Sequence, residues 1–151
     1  MPLAALEQIK SRIGEEVGVS SWLLVDQARV DAFADATEDR QFIHVDPDAA
    51  AQTPFGGTVA HGFLTLSLLS RMGAEAMLLP DSLKMAVNYG FDRVRFLAPV
   101  KSGSRVRGRF RLDSTEEKAP GQVLLRHTVT VEIEGEDKPA LTAEWLGLMF
   151  I

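Results

Sequence analysis

The stretch "HGFLTLSLLSRMGAEAMLL", residues 61–79, decides the fold because it contains the longest apolar run in the chain. Arg71 and Glu75 interrupt this run, whereas a membrane-spanning helix needs about 20 mostly uncharged residues. The helix that the stretch predicts would be apolar on nearly every side, and such a helix has to be covered by other parts of the chain. The sequence therefore predicts one long, buried core helix over residues 61–79.

The second half of the chain predicts the strands that cover this helix. In "VLLRHTVTVEI", residues 123–133, His127 and apolar residues alternate with polar ones, so His127 is predicted to be a packed core histidine. Similar alternation between turn-rich pieces predicts strands over residues 85–97, 104–114, 123–134 and 140–151. Helices followed by a run of antiparallel strands are typical of an α+β domain.

The first half of the chain predicts the smaller helices. Apolar spacing indicates helices over residues 3–13 and 27–37, and "VSSWLLVDQ", residues 19–27, indicates a short strand. Asp46 followed by Pro47 is a favourable start for a further short helix that ends at Ala51. No linker separates these pieces, so residues 1–151 are predicted to form one domain.

Composition excludes several classes of partner and site. The net charge of −5 argues against a nucleic-acid partner and against an anionic membrane surface. The absence of cysteine excludes disulfides, thiolate catalysis and thiolate zinc sites. The N-terminal residues lack the features of a secretory signal, and we therefore expect a cytoplasmic protein with no membrane partner.

Asp39 and His44 form the first candidate for chemistry. They are separated by four residues on a predicted loop between two helices, in "DRQFIH". A carboxylate and an imidazole that meet could hold one water molecule and move its protons. The spacing equally fits an aspartate that caps a turn beside a half-packed histidine, and both readings stay open on spacing alone.

The segment "FGGTVAHGF", residues 55–63, provides the second candidate. Gly62 follows His61 at the predicted helix start, where free backbone N–H groups can donate to a developing oxyanion. The same glycines could simply form a turn. On the helix itself, Ser67 is predicted to bond back to the backbone, and the role of Ser70 stays open.

The arginines at positions 105, 107, 109 and 111 alternate along one predicted strand face, and Arg93 and Arg95 lie one strand earlier. The stripe fits either a solvated sheet face or a surface that accepts phosphates or a neighbouring subunit's carboxylates. The sequence contains no phosphate-binding P-loop, dinucleotide fingerprint or HExxH motif.

Taken together, "FADATEDRQFIHVDPDAA" and "FGGTVAHGFLTLSLLS" resemble the MaoC-like family, which includes the (R)-specific enoyl-CoA hydratases. The resemblance covers about residues 30–72, with weaker agreement over residues 88–107. It implies a hotdog fold, which is an antiparallel sheet wrapped around one long central helix. It also implies a homodimer and the reversible addition of water to a trans-2-enoyl-CoA to give an (R)-3-hydroxyacyl-CoA.

The resemblance also implies roles for individual residues. Asp39 and His44 match the acid-base pair, Gly62 matches the amide that binds the thioester oxygen, and Ser70 matches a supporting helix serine. His61 precedes the Gly62 amide and is grouped with the oxyanion and substrate-binding residues. No metal or organic cofactor is implied, because coenzyme A belongs to the acyl-CoA thioester substrate.

One departure from the family pattern concerns the residues between the acid and the histidine. Many family hydratases have Asn-Pro where this chain has Gln41-Phe42, a variant similar to a branch that includes nodulation-protein-N-like members. Two other functions remain alternatives on the same fold. One is an acyl-CoA thioesterase that uses the helix face of Ser67, Ser70 and Glu75, and the other is a non-catalytic acyl-CoA-binding module.

Overall fold

The computed structural model describes residues 2–151. Its helices are α1 Leu6–Ser11, α2 Gln27–Thr37, α3 Phe42–Val45, α4 Pro47–Ala51, α5 Gly62–Ser67 and α6 Leu69–Ala76. Its strands are β1 Leu3–Ala4, β2 Glu16–Val19, β3 Leu23–Val25, β4 Leu79–Pro80, β5 Met85–Phe96, β6 Ser104–Ala119, β7 Gln122–Ile133 and β8 Leu141–Phe150.

The main sheet is antiparallel throughout and confirms the predicted α+β class. Its strands follow the order β2-β6-β7-β8-β5, and β3 pairs with a different part of β6. Period-two alternation buries one face of each of the three central strands, β6, β7 and β8. Strand β5 pairs only with β8 and therefore forms an edge of the sheet.

Helices α5 and α6 pack against the inner face of this sheet and form the core with it. Leu69 and Met72 of α6 are almost fully buried, as are Phe110 of β6 and Leu125 of β7. A Cβ atom built on Gly18 would lie 2.0 Å from the carbonyl oxygen of Ala76, so β2 approaches α6 closely only because residue 18 has no side chain. This is the hotdog arrangement.

The helix predicted over residues 61–79 differs from the structure in three respects. It is divided at Leu68 into α5 and α6, although Leu68 N still donates to Leu64 O at 3.1 Å and Met72 N to Leu68 O at 3.0 Å. It is also not buried on every side, since Phe63 is 67% exposed. The chain leaves the helix after Ala76 and pairs β4 with β1, which ends the helix earlier than the apolar pattern predicts.

Three smaller predictions need correction. Only part of the helix predicted over 3–13 forms, namely α1, because Leu3 and Ala4 pair with β4 instead. Of the strand predicted over 19–27, only Leu23–Val25 forms a strand, β3, while Val19 is the last residue of β2, which pairs with a different part of β6. Strand β6 runs to Ala119, past its predicted end at residue 114, because its hairpin with β7 continues to the Ala119–Gln122 pair.

Other predictions are confirmed. Helix α2 spans the predicted residues, and the Asp46 side chain accepts from Ala49 N at 3.0 Å ahead of α4. His127 is 1% exposed, and burial lowers the pKa of its imidazole to about 4, against a smaller opposing effect of the Asp113 charge. Across residues 2–151, no helix combines the length and the apolar character needed to cross a membrane.

Candidate active site

Asp39 lies in the loop after α2, where the chain turns sharply. Glu38 adopts a left-handed conformation with φ 62° and ends α2, which directs the following residues away from the helix axis. The Asp39 side chain is exposed, while its backbone carbonyl accepts a hydrogen bond from His61 Nε2 at 2.9 Å. The loop therefore presents the carboxylate to solvent and is held by its backbone.

His44 is buried and its ring is oriented by one short hydrogen bond. Its Nδ1 lies 2.6 Å from the carbonyl oxygen of Val59, which can only accept, so Nδ1 carries the hydrogen. The lone pair of the neutral ring is then on Nε2. His44 lies in the one-turn helix α3, whereas the sequence predicted a loop at this position.

His61 packs face to face on His44. The two ring centroids are 3.8 Å apart with an interplanar angle of 23°, and the Phe33 ring lies 4.9 Å from His61 on a tilted plane. His61 Nε2 donates to the Asp39 carbonyl, while Nδ1 is buried without a hydrogen-bond partner among the described residues. The ring thus contacts both candidate catalytic residues and faces away from solvent.

The three side chains converge as the candidate acid-base site requires. A carboxylate oxygen of Asp39 and one ring nitrogen from each histidine all lie within 4.8 Å of one another. One water molecule with two hydrogen bonds of about 2.8 Å can span such a separation between the acid and His44. Asp39 Oδ1 also accepts a long hydrogen bond of 3.4 Å from Gln41 N, as in an Asx turn, so the carboxylate caps the turn and lies near both histidines.

The same trio contains the residue types of a metal site, but its geometry does not suit one. One nitrogen of His61 is engaged with the Asp39 carbonyl and the other is enclosed. In addition, the two rings are stacked at an interplanar angle of 23°, so their in-plane lone pairs lie in two separate, nearly parallel planes.

Gly62 is the first residue of α5 and lies beside a cavity. The cavity has a volume of about 290 Å³, and Gly62, Thr65 and Phe96 are among its lining residues. A Cβ atom on residue 62 would lie 3.0 Å from the Phe96 ring, so the glycine allows the aromatic side chain to approach the helix start. Gly62 precedes the first intrahelical hydrogen bonds, which leaves its N–H available to a ligand.

Ser70 lies apart from the trio, on α6. It lines a second, mainly apolar cavity of about 260 Å³, together with Gly73, Trp145 and Met149. Ser67 donates to the Phe63 carbonyl at 2.7 Å, which confirms its predicted structural role. Neither cavity is lined by Asp39 or His44 within the single chain.

The arginine stripe on β6 is neutralised by neighbouring carboxylates. Arg107 lies 2.6 Å from Glu132, and Arg109 contacts Glu16 through two nitrogens at 2.9 Å. Arg105 and Arg111 also have acidic partners, Glu134 at 3.4 Å and Asp113 at 2.8 Å. These ion pairs favour the solvated sheet face over a phosphate-binding surface.

Two side chains at the site were not singled out by sequence analysis. The amide of Gln27 hydrogen-bonds the His44 backbone, and the hydroxyl of the buried Thr58 bonds the other end of that amide. Neither residue belongs to a recognisable motif, and they are 31 positions apart, so no local spacing indicates that they meet.

Comparison with known proteins identifies the family. The family model described as "MaoC like domain" matches residues 8–135, which is most of the chain. This chain belongs to the MaoC-like family.

Individual MaoC-like relatives match over nearly their whole length. The chain is 54% identical to Nodulation protein N of Rhizobium leguminosarum bv. viciae, over 96% of this chain and 91% of that protein. It is 47% identical to 3-hydroxyacyl-thioester dehydratase Z of Mycobacterium tuberculosis, over 93% and 92% respectively. The solved structure of an (R)-hydratase from A. caviae involved in PHA biosynthesis superposes with a TM-score of 0.70 at 29% identity, over 87% and 95%. The family therefore supports dehydratase or hydratase chemistry for this MaoC-like chain.

Proposed function

We propose that this protein catalyses the reversible hydration of trans-2-enoyl-CoA to (R)-3-hydroxyacyl-CoA. The observation that carries the proposal is the convergence of the Asp39 carboxylate and a His44 ring nitrogen within 4.8 Å, in a chain of the MaoC-like family. The dehydratase and the (R)-hydratase to which the chain is similar support the same reaction class.

In the proposed reaction, Asp39 and His44 hold one water molecule between them. The water oxygen bonds to Cβ of the enoyl group while the pair removes one water proton, for which the Nε2 lone pair of His44 is oriented by the bond from Nδ1 to Val59. The Cα–Cβ π electrons move toward the thioester oxygen as an enolate, and the pair returns the proton to Cα. One water is added in total, and both its parts arrive from the same face.

The enolate needs a hydrogen-bond donor, and this role is proposed for the N–H of Gly62. Backbone N–H groups at a helix start stabilise developing negative charge, and the cavity beside Gly62 offers space for the thioester. In this proposal His61 supports both Gly62 and Asp39, because it precedes the Gly62 amide and donates to the Asp39 carbonyl. No organic cofactor is required by this mechanism.

The apolar cavity beside Ser70 is proposed to receive the acyl chain. It is lined mainly by apolar groups, with Gly73 and Trp145 at its wall. Ser70 would mark its polar entrance, where the supporting serine of the family is expected.

We also propose that the protein acts as a homodimer. Strand β5 is an unpaired sheet edge, and it exposes the large apolar side chains Met85, Val87, Tyr89, Phe91 and Phe96. A long edge with exposed apolar residues favours pairing with another strand, and a second copy of β5 has the matching length and character. The Phe96 that flanks Gly62 belongs to this strand, so the partner would approach the substrate cavity.

The thioesterase alternative lacks support at its candidate carboxylate. Glu75 accepts hydrogen bonds from Ser21 N at 2.7 Å, Ser21 Oγ at 2.9 Å and Arg71 at 3.0 Å, and these contacts lower the pKa of its carboxyl group. A carboxylate engaged in this way is poorly placed to attack a thioester or activate water.

To test this proposal, the purified protein is mixed with crotonyl-CoA or with a longer trans-2-enoyl-CoA, and the enone absorbance and the free thiol are measured. Loss of enone absorbance without release of free thiol supports hydration, whereas release of thiol supports the thioesterase. The absence of both signals supports a binding module. Asp39→Asn and His44→Ala are each expected to lower turnover about 10²–10⁴-fold, because each removes a positioned proton-transfer group. Asp48→Asn, an exposed acid on α4, is the matched control and should keep wild-type turnover.

A further inference from the structure

The side-chain amide of Gln27 makes three hydrogen bonds that fix its orientation. Nε2 donates to the His44 carbonyl at 2.7 Å and to Asp31 Oδ1 at 2.8 Å, while Oε1 accepts from Thr58 Oγ1 at 2.5 Å. Reversing the amide would place Oε1 against two acceptors, so only this orientation satisfies all three partners. No other residue type offers a donor and an acceptor at the end of a side chain of this length and neutral charge.

The two ends of this amide join the two chain segments that set the position of the His44 ring. On one side, Nε2 holds the backbone of His44 itself. On the other side, Thr58 precedes Val59, whose carbonyl accepts from the His44 ring at 2.6 Å and whose N–H donates to Ile43 O at 3.0 Å. Gln27 therefore connects the backbone of His44 to the segment that orients its imidazole.

The side chain of Gln27 is not required to start its own helix. Asp26 caps α2 by accepting from Arg29 N at 2.9 Å, which satisfies one of the free donors at the helix start. Apart from its bond to Asp31 within α2, the Gln27 amide points out of the helix toward residues 17 and 31 positions away. Its contacts thus serve the candidate active site.

We propose that Gln27, acting through Thr58, is a positioning residue for His44 in the hydration reaction. This inference rests on the proposed function, because it assigns Gln27 an effect on a histidine that takes part in proton transfer. Without the amide bridge, the His44 backbone and the Val59 carbonyl are held together by fewer bonds, namely those from Val59 N to Ile43 O and from the His44 ring to Val59 O. A displacement of about 1 Å at a catalytic group can lower turnover about 100-fold, so the bridge affects kcat more than substrate binding.

The first experiment replaces Gln27 with methionine, which has a similar length and forms none of the three hydrogen bonds. Gln27→Met is expected to lower kcat for crotonyl-CoA hydration at least about tenfold while KM changes less than about threefold. Gln8→Met is the matched control: the exposed Gln8 side chain accepts a hydrogen bond from Ala5 N just before α1, and its variant should keep wild-type kcat. Equal kcat values for both variants would overturn the proposal.

The second experiment tests whether Gln27 acts through His44. In the His44→Ala background, Gln27→Met is expected to cause no further loss, because the group that it positions is already absent. The same fold loss in both backgrounds would overturn the positioning role. Near-normal turnover of His44→Ala alone would instead refute the proposed function, so the two failures are distinguishable.

Two variants of Thr58 provide a second test in case Gln27→Met does not fold. Thr58→Val preserves the shape but removes the hydroxyl that bonds Gln27, whereas Thr58→Ser retains it. We expect lower kcat in the valine variant and near-normal kcat in the serine variant at matched thermal stability. Equal kcat values for the two variants contradict the inference.

Discussion

The buried imidazole of His127 predicts a specific loss of stability as the pH falls. His127 lies on β7 opposite Leu112 on one side and Trp145 on the other, and it is 1% exposed. Neither ring nitrogen has a hydrogen-bond partner within residues 2–151. Because removal from water disfavours the charged ring, the pKa of His127 is lowered to about 4.

The sign of the effect follows from the two pKa values. In the unfolded chain the histidine has its ordinary pKa of about 6.5, so below that pH the unfolded state binds the proton more readily. The contribution of neutral His127 to stability is therefore complete above pH 6.5. It is lost as the pH falls from about 6.5 toward 4 and becomes constant at lower pH.

The magnitude follows from the size of the shift. A difference of about 2.5 pKa units corresponds to about 3 kcal/mol in the free energy of unfolding over the whole window. About 2 kcal/mol of that loss is expected by pH 5. Most carboxylates are still ionised at pH 5, so this part of the window reports mainly on the histidine.

The assay compares wild type with His127→Leu by urea denaturation at one fixed protein concentration, from pH 7.5 to pH 5. Leucine fills a similar buried volume and cannot be protonated, so the pH dependence of all other groups cancels in the difference between the two proteins. We expect the stability of wild type relative to the variant to fall by about 2 kcal/mol across this range. Parallel curves for the two proteins would refute the reasoning.

Three further predictions concern the site and its surroundings. His61→Phe keeps an aromatic ring beside His44 but loses the bond to the Asp39 carbonyl, so kcat should fall at least about tenfold. His61→Gln can retain that donor, so its kcat should fall less. The reverse order of the two kcat values would contradict this role of His61. Gly73→Ala adds a methyl group 3.0 Å from the Trp145 ring in the apolar cavity. The variant should lower kcat/KM for a long enoyl-CoA about tenfold more than for crotonyl-CoA. Equal effects on both substrates would place the acyl chain elsewhere. Val87→Lys puts a charge on the exposed β5 edge and should convert the proposed dimer to monomer in sedimentation with loss of activity. An unchanged sedimentation coefficient would argue against β5 as a dimer surface.

The elements that the sequence predicted well are those whose signal lies within one segment. Helix α2 and the four long strands follow from side-chain periods of 3.6 and 2, which depend only on neighbouring residues. The buried face of β7, including His127, follows from the same alternation. Where a long-range pairing competed with the local pattern, as in the pairing of Leu3 with Leu79, prediction from the local pattern was wrong.

The candidate site shows the same division. The sequence indicated Asp39, His44 and Gly62 through residue type and motif. It did not indicate the stacking of His61 on His44, the bond from His61 to the Asp39 backbone or the bridge through Gln27.

By itself, the sequence determined the family, the α+β class and the residue types available for proton transfer, because these depend on composition, short motifs and local periodicity. Only the tertiary structure decided how those residues face one another. The contacts that orient His44 join residues 15 to 31 positions apart, and their distances are set by the packing of α2, α3 and the 58–59 segment against one another. No local pattern encodes such distances, since they result from the simultaneous burial of many side chains in one core.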